Sequence, residues 1–123
     1  MLAILGLVAG LVLVRGPQRS GAADMRQASS LVAGALRVAR SRAIASNRPV
    51  PVRFDPASRT LQLGADDARR LPSGIAMTTG ARLILFRPDG SSTGGEVDLA
   101  GAARTARIGV SWLTGRVAVS ASP

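Results

Sequence analysis

Residues Leu2 to Val14 read LAILGLVAGLVLV, an unbroken run of apolar residues and glycine with no charge before Arg15. Nothing else in the chain restricts its fold as strongly, because a helix built from this run is apolar all round and needs cover on every side. The 14 residues from Met1 would span roughly 21 Å as a helix, against a hydrocarbon core of about 30 Å. The deficit is about 9 Å, or roughly six helical residues. Three readings compete. A buried core helix is unusual in so small a chain. A cleaved signal peptide needs a basic region ahead of the run, whereas Arg15 and Arg19 follow it. The deficit favours a membrane helix whose first turn or two lie upstream of Met1. Leu2, Leu5, Gly6, Gly10, Leu11 and Leu13 are the residues expected to form this membrane and assembly segment. Gly6 and Gly10 make a G-x-x-x-G that would admit a second backbone closely, although plain lipid-facing filler explains them equally well.

Gly16-Pro17 is expected to bend or interrupt the helix. Beyond it Ala28, Leu31, Val32, Ala35, Leu36, Ala39 and Ala43 recur at helical spacing for about four turns, and Leu31, Val32, Ala35, Leu36 and Ala39 are expected to pack against a sheet. Arg26, Arg37, Arg40 and Arg48 fall within one arc of about 80° opposite that stripe. They form either a solvated face or a surface that meets acidic groups on partner helices or lipid headgroups. The helix should stop by Asn47, because Pro49 disfavours helical geometry at Arg48. Charge follows the same division. All 16 basic residues are arginine, and residues 1–49 hold seven of them against Asp24, a net of +6 out of the total of +9.

From Val50 the apolar period shortens towards two. Val50, Val52 and Phe54 alternate with Pro51 and Arg53, turn chemistry follows at residues 55–58, and Leu61 and Leu63 resume the alternation, which predicts a hairpin. Further strands are expected at 75–79, 83–86, 97–99, 107–112 and 116–119, with a turn at Pro88-Asp89-Gly90 and a loop through GSSTGG. The fold class is therefore α+β, a long N-terminal helix packed on a mainly antiparallel sheet. Residues 1–15 form the apolar membrane and assembly segment, 16–48 the amphipathic continuation, and 49–123 a β-rich head that packs with 24–47 as one domain.

The chain contains no histidine, cysteine or lysine. That removes Ser-His and Cys-His nucleophile pairs, ordinary zinc sites, Schiff bases and the Walker-type phosphate loop. Gly90 to Gly95 has no lysine and leads into a strand, so no helix N-terminus faces an anion there. Asp66-Asp67 reads as a solvated pair rather than a catalytic dyad, and Asp89, Glu96 and Asp98 match no calcium-loop spacing. No catalytic residue, metal or cofactor is expected. Single-strand nucleic-acid binding combines a basic groove with stacking aromatics. Here Phe54, Phe86 and Trp112 are the only aromatics and are expected in the core, which leaves phosphate contacts from Arg82, Arg87, Arg104, Arg107 and Arg116 as a weak alternative.

The helix segment LVAGALRVARSRAIASNRPV joined to a small β-rich head resembles type IV pilin-like proteins. The segments FRPDGSSTGGEVDL (86–99) and IGVSWLTGRV (108–117) resemble the H-type minor pseudopilins of type II secretion systems. Phe86, Pro88, Asp89, Gly90, Gly94, Gly95, Trp112 and Gly115 carry that likeness in the head. The resemblance implies a structural, non-enzymatic subunit at the tip of a periplasmic pseudopilus that helps export folded proteins across the outer membrane. It also implies a single-pass inner-membrane anchor with a periplasmic head. Implied partners are the other minor tip subunits and the major pseudopilin, the inner membrane, the secretin or exported substrates, and a prepilin peptidase; nucleic acid is not among them. The peptidase site of the family, a basic leader, glycine and a Phe-Thr-Leu-Ile-Glu-like stretch, does not occur in this chain. Met1 to Leu5 resembles the residues just after that glutamate, so an in-frame processing site is expected upstream. The alternative is a minor pilin of type IV pili that binds DNA for uptake; its relatives tend to end in a basic tail, whereas this chain carries no charge after Arg116. A membrane-anchored β domain outside any filament is the third reading.

Overall fold

The computed structural model describes the backbone of residues 2–102 and 104–122 and the side chains of residues 22–102 and 104–121. One helix, Leu2–Ser46 (α1), precedes strands Val50–Asp55 (β1), Thr60–Leu63 (β2), Arg69–Arg70 (β3), Ala76–Thr79 (β4), Leu83–Phe86 (β5), Gly95–Ala100 (β6), Thr105–Val110 (β7) and Val117–Ser122 (β8). Of the bend or interruption expected at Gly16-Pro17, the interruption does not occur: the helix runs through without a break. Proline removes only its own N–H from the helical ladder, so the loss there is the bond to the Leu13 carbonyl, and flanking turns keep their own bonds. Leu2, Leu5, Gly6, Gly10, Leu11 and Leu13 lie on this helix, with side chains outside the described residues. Among the described residues no helix is long and apolar enough to cross a membrane.

The far end of α1 is closed by its own sequence. Asn47 takes the left-handed conformation at φ 54°, and the Arg48 N–H reaches back to the Ala43 carbonyl at 3.3 Å. This is the six-to-one bond of a Schellman cap, in which asparagine replaces the usual glycine. Arg48 therefore lies beyond the helix and is not part of a helical arginine stripe.

The strands divide into two antiparallel four-stranded sheets, ordered β3-β2-β1-β5 and β4-β6-β7-β8. Alternation decides which residues turn inward. In the first sheet Val52 sits opposite Leu63 on one side and Ile84 on the other, and Val52, Phe54, Leu61, Ile84 and Phe86 are buried. The second sheet contributes Met77, Val97, Leu99, Ile108 and Val110 to the same core. The helix supplies Met25, Ala28, Val32, Leu36, Ala39 and Ala43, all buried; their steps of three and four residues trace one continuous stripe. Alanines on that stripe bring the backbone close to the sheets, while Leu36 and Val32 fill the centre. Leu31 and Ala35 pack at the margin and are half-buried.

Chain order places the two motif segments together. Strand β5 belongs to the first sheet, while its sequence neighbours β4 and β6 belong to the second. The segment after Phe86 must therefore cross between sheets, and it does so next to the β7–β8 connection.

Candidate functional site

The crossing begins with a tight turn in which the Gly90 N–H donates to the Arg87 carbonyl at 2.9 Å. Asp89 fixes the turn from its side chain, accepting from the Ser91 amide at 2.9 Å and the Ser91 hydroxyl at 2.6 Å. Those two bonds, the hydroxyl foremost, hold the Asp89 carboxyl below its ordinary pKa, since they favour its charged form. Asp55 makes the same kind of turn in the β1–β2 hairpin and is lowered mainly by the hydroxyl of Ser58.

Ser92, next in the crossing, is the one buried polar residue among those described, at 1% exposure. Its hydroxyl donates to the Ser111 carbonyl at 2.9 Å and accepts the Gly94 N–H at 3.0 Å. Its amide donates to the Trp112 carbonyl at 2.9 Å. The side chain is thus satisfied on both sides, as burial demands, and it staples the 87–94 crossing to the 111–116 loop. Nothing in the composition or spacing of GSSTGG separates Ser92 from its neighbours; only its position opposite Ser111 does.

Arg40 ties this pair of loops to the helix. Its Nε donates to the Gly90 carbonyl at 3.3 Å and the Thr114 carbonyl at 3.1 Å. Both loops approach it through glycine. A Cβ on Gly90 would sit 3.0 Å from an Arg40 guanidinium nitrogen. A Cβ on Gly115 would meet Arg40 Cδ and Nε at 3.1 Å and collide with the Gly90 carbonyl oxygen. Arg40 is half-buried and bonded to the head, so it is not a member of a free basic face. Arg26 and Arg37 are exposed on α1.

The other head residues fall around this clasp. Phe86 is fully buried and Pro88 half-buried, and Gly95 opens β6, packed against Ala81 and Ile84. Gly94 backs onto Trp112, whose Cβ would lie 3.2 Å from an added Cβ. Trp112 itself is 66% exposed, not a core residue. Strand β7 ends at Val110, so the alternation that would have turned Trp112 inward stops before it. Of the acidic candidates, Asp98 and Glu96 face Arg107 at 2.8 and 3.6 Å, raising the pKa of Arg107 through the Asp98 hydrogen bond first. Asp66 pairs with Arg42 at 2.8 Å. No group of three carboxylates gathers among the described residues.

A single N-terminal helix laid across antiparallel sheets, with its C-terminal half in the core and two head loops clasped to it, is the pilin-like architecture. Solved structures share it. The minor pseudopilin EpsH of the type 2 secretion system of Vibrio cholerae superposes with a TM-score of 0.68 at 16% identity, covering 80% of this chain and 97% of that one. The type IV minor pilin FimU of Pseudomonas aeruginosa gives 0.69 at 13% identity, covering 82% and 91%. Fold alone therefore does not separate secretion from pilus relatives, but sequence does. The sequence profile described as Type II transport protein GspH matches residues 28–115. The type II secretion system protein H of Xanthomonas campestris pv. campestris is 32% identical over 130 aligned positions, 95% of this chain and 77% of that protein. The chain belongs to the GspH family of type II transport proteins.

Proposed function

We propose that the protein is a non-catalytic minor subunit at the tip of a type II secretion pseudopilus, held in the inner membrane by the apolar part of α1 with its head in the periplasm. One observation carries the reading above the others: the family match spans residues 28–115, which takes in most of the packed part of the helix, Arg40, the 87–94 crossing and residues 111–115 of the second loop. In this reading residues 1–15 serve as the membrane and assembly segment, 16–48 continue the helix, and 49–123 form the head. Other pseudopilins, minor and major, are its partners.

The absence of histidine, cysteine and lysine fits a subunit whose work is shape and contact. Of the five head arginines that could meet phosphate, Arg107 is paired with Asp98 and Glu96 and Arg87 bonds the Ser92 carbonyl, while Arg82, Arg104 and Arg116 are exposed. Deleting the gene in its host and assaying secreted proteins tests the proposal. Exoproteins should accumulate inside the cell with synthesis unchanged, and the full chain supplied in trans should restore export. Normal secretion together with lost DNA uptake would overturn it.

A further inference from the structure

Trp112 and Leu113 are 66% and 64% exposed, the most exposed large apolar side chains among the described residues. They are adjacent, and the loop that carries them is not slack. The Ser111 carbonyl accepts from the Gly115 amide at 2.8 Å and from the Ser92 hydroxyl at 2.9 Å. The Trp112 carbonyl accepts from the Ser92 amide at 2.9 Å, and the Thr114 carbonyl accepts from Arg40 at 3.1 Å. Four bonds fix the backbone on both sides of two side chains that touch water. A tip ordered before it binds loses little conformational freedom on docking.

Next to this tip, Arg37, Arg40 and Arg116 line one notch with Ser41, Thr114 and Val117. No carboxylate lines it, and none of the three arginines forms a salt bridge among the described residues, unlike Arg42 and Arg107. Arg37 and Arg116 are exposed. Tryptophan and arginine are the residue types that dominate binding hot spots, and here the five-residue stretch Trp112–Arg116 links an apolar knob to uncompensated positive charge.

Resting on the reading of the chain as a filament subunit, we propose that the Trp112–Leu113 tip and the Arg37–Arg116 notch form one docking face for a neighbouring pseudopilin. The facing surface of that neighbour presents an apolar socket rimmed by carboxylates. Carboxylates are the planar partners that arginine binds with paired hydrogen bonds, and the socket covers the knob. A nucleic-acid strand would use the tryptophan for stacking but has no use for an equally exposed Leu113 beside it. A lipid surface would be met by charge spread over a face rather than confined to one notch.

Trp112 is the only tryptophan, so fluorotryptophan placed in the full chain gives a single fluorine NMR resonance at the site itself. The full chain in detergent is titrated with each purified pseudopilin of the same secretion system, with phosphatidylglycerol vesicles, and with a single-stranded oligonucleotide. One acidic pseudopilin should shift the resonance, with affinity falling as salt rises. Leu113→Ala and the double variant Arg37→Glu, Arg116→Glu should each weaken that binding at least ~10-fold while leaving the melting temperature unchanged. A shift produced only by vesicles or only by the oligonucleotide overturns the proposal. Pseudopilin binding with no shift, or with equal affinity for the variants, removes this face while leaving the subunit reading intact. No binding to any pseudopilin removes both.

Discussion

Replacing Gly115 with alanine adds one methyl group and should be among the costliest single changes in the head. Gly115 has φ 68°, a left-handed conformation that costs an L-residue roughly 1–2 kcal/mol. The new Cβ would also collide with the Gly90 carbonyl oxygen and press on Arg40 at 3.1 Å. Backbone cannot yield there without separating the Gly90 turn from Arg40, whose forked hydrogen bond reaches both the Gly90 and Thr114 carbonyls. A hydrogen bond from a charged donor contributes about 1.5–3 kcal/mol, so the two effects together reach roughly 2.5–5 kcal/mol. In a domain of about 100 residues each kcal/mol moves the midpoint about 4 °C, so calorimetry of the full chain in detergent should show a fall of roughly 10–20 °C. Two controls separate the causes. Gly74 has φ 88° but open space where its Cβ would go, so Gly74→Ala should lose only the conformational part, about 4–8 °C. Gly34 lies inside α1 with nothing within 4 Å, and Gly34→Ala should raise the midpoint by about 2–4 °C. If Gly115→Ala melts with Gly74→Ala, the collision with Gly90 does not constrain the head and the clasp argument fails.

Arg40→Met keeps the apolar stem but removes the donor, and should cost about 2–3 kcal/mol by denaturant titration; Arg42→Ala, which breaks an exposed pair with Asp66, should cost under about 1 kcal/mol. Equal effects would place Arg40 with the ordinary surface arginines. Ser92→Ala leaves the Gly94 amide without its partner beside a buried position, at a cost of about 1–3 kcal/mol, while the Ser111 carbonyl keeps its bond from the Gly115 amide; hydrogen exchange at Gly94 should accelerate first. The Asp55 and Asp89 carboxyls are depressed from 3.8 by their serine hydrogen bonds. Their contribution to stability is therefore present above pH ~4 and lost as pH falls through the lowered values. Asp89→Asn should flatten that acid-side decline in a series of melts from neutral pH downward, and an unchanged slope would contradict the assignment.

How far the fold was legible follows from which interactions are local. The α1 stripe, the β1–β2 hairpin and the Pro88-Asp89-Gly90 turn rest on spacing and turn chemistry within a few residues, and all three are readable from the sequence. Angular spacing alone puts Arg48 on the helical arc, whereas the stop that Pro49 imposes by Asn47 is met: α1 ends at Ser46, Asn47 is left-handed, and Arg48 falls outside. The short β3 pairing, Thr60 with Arg70 and Leu61 with Arg69, sits inside a polar stretch that carries no alternation to find. Division into two sheets was equally hidden, since each strand reads alike whichever sheet receives it.

The candidate site was legible only as a set of names. Gly90, Gly94, Trp112 and Gly115 stand out by resemblance, but their meaning depends on contacts across long stretches of chain. Arg40 lies 50 residues from Gly90 and 74 from Thr114, and at helical spacing it looks like any other exposed arginine. Trp112 looks like core because large aromatics usually are.

Where the positive charge sits acquires a different sense from these contacts. Of the four arginines that spacing placed on one helical arc, Arg48 leaves the helix, Arg40 becomes internal structure, and Arg26 and Arg37 remain exposed. The arc is thus divided between holding the head to the helix and facing outward. Arg40 does the first by bonding carbonyls rather than carboxylates, so its positive charge is not neutralised where it is held. That charge adds to Arg37 and Arg116 in the notch beside the Trp112 tip. The residue that orders the loop thereby also makes the face beside it more attractive to an acidic neighbour. Stability and recognition are coupled through it: loosening the clasp should disorder the knob and disperse the charge together, whereas removing Leu113 should affect recognition alone.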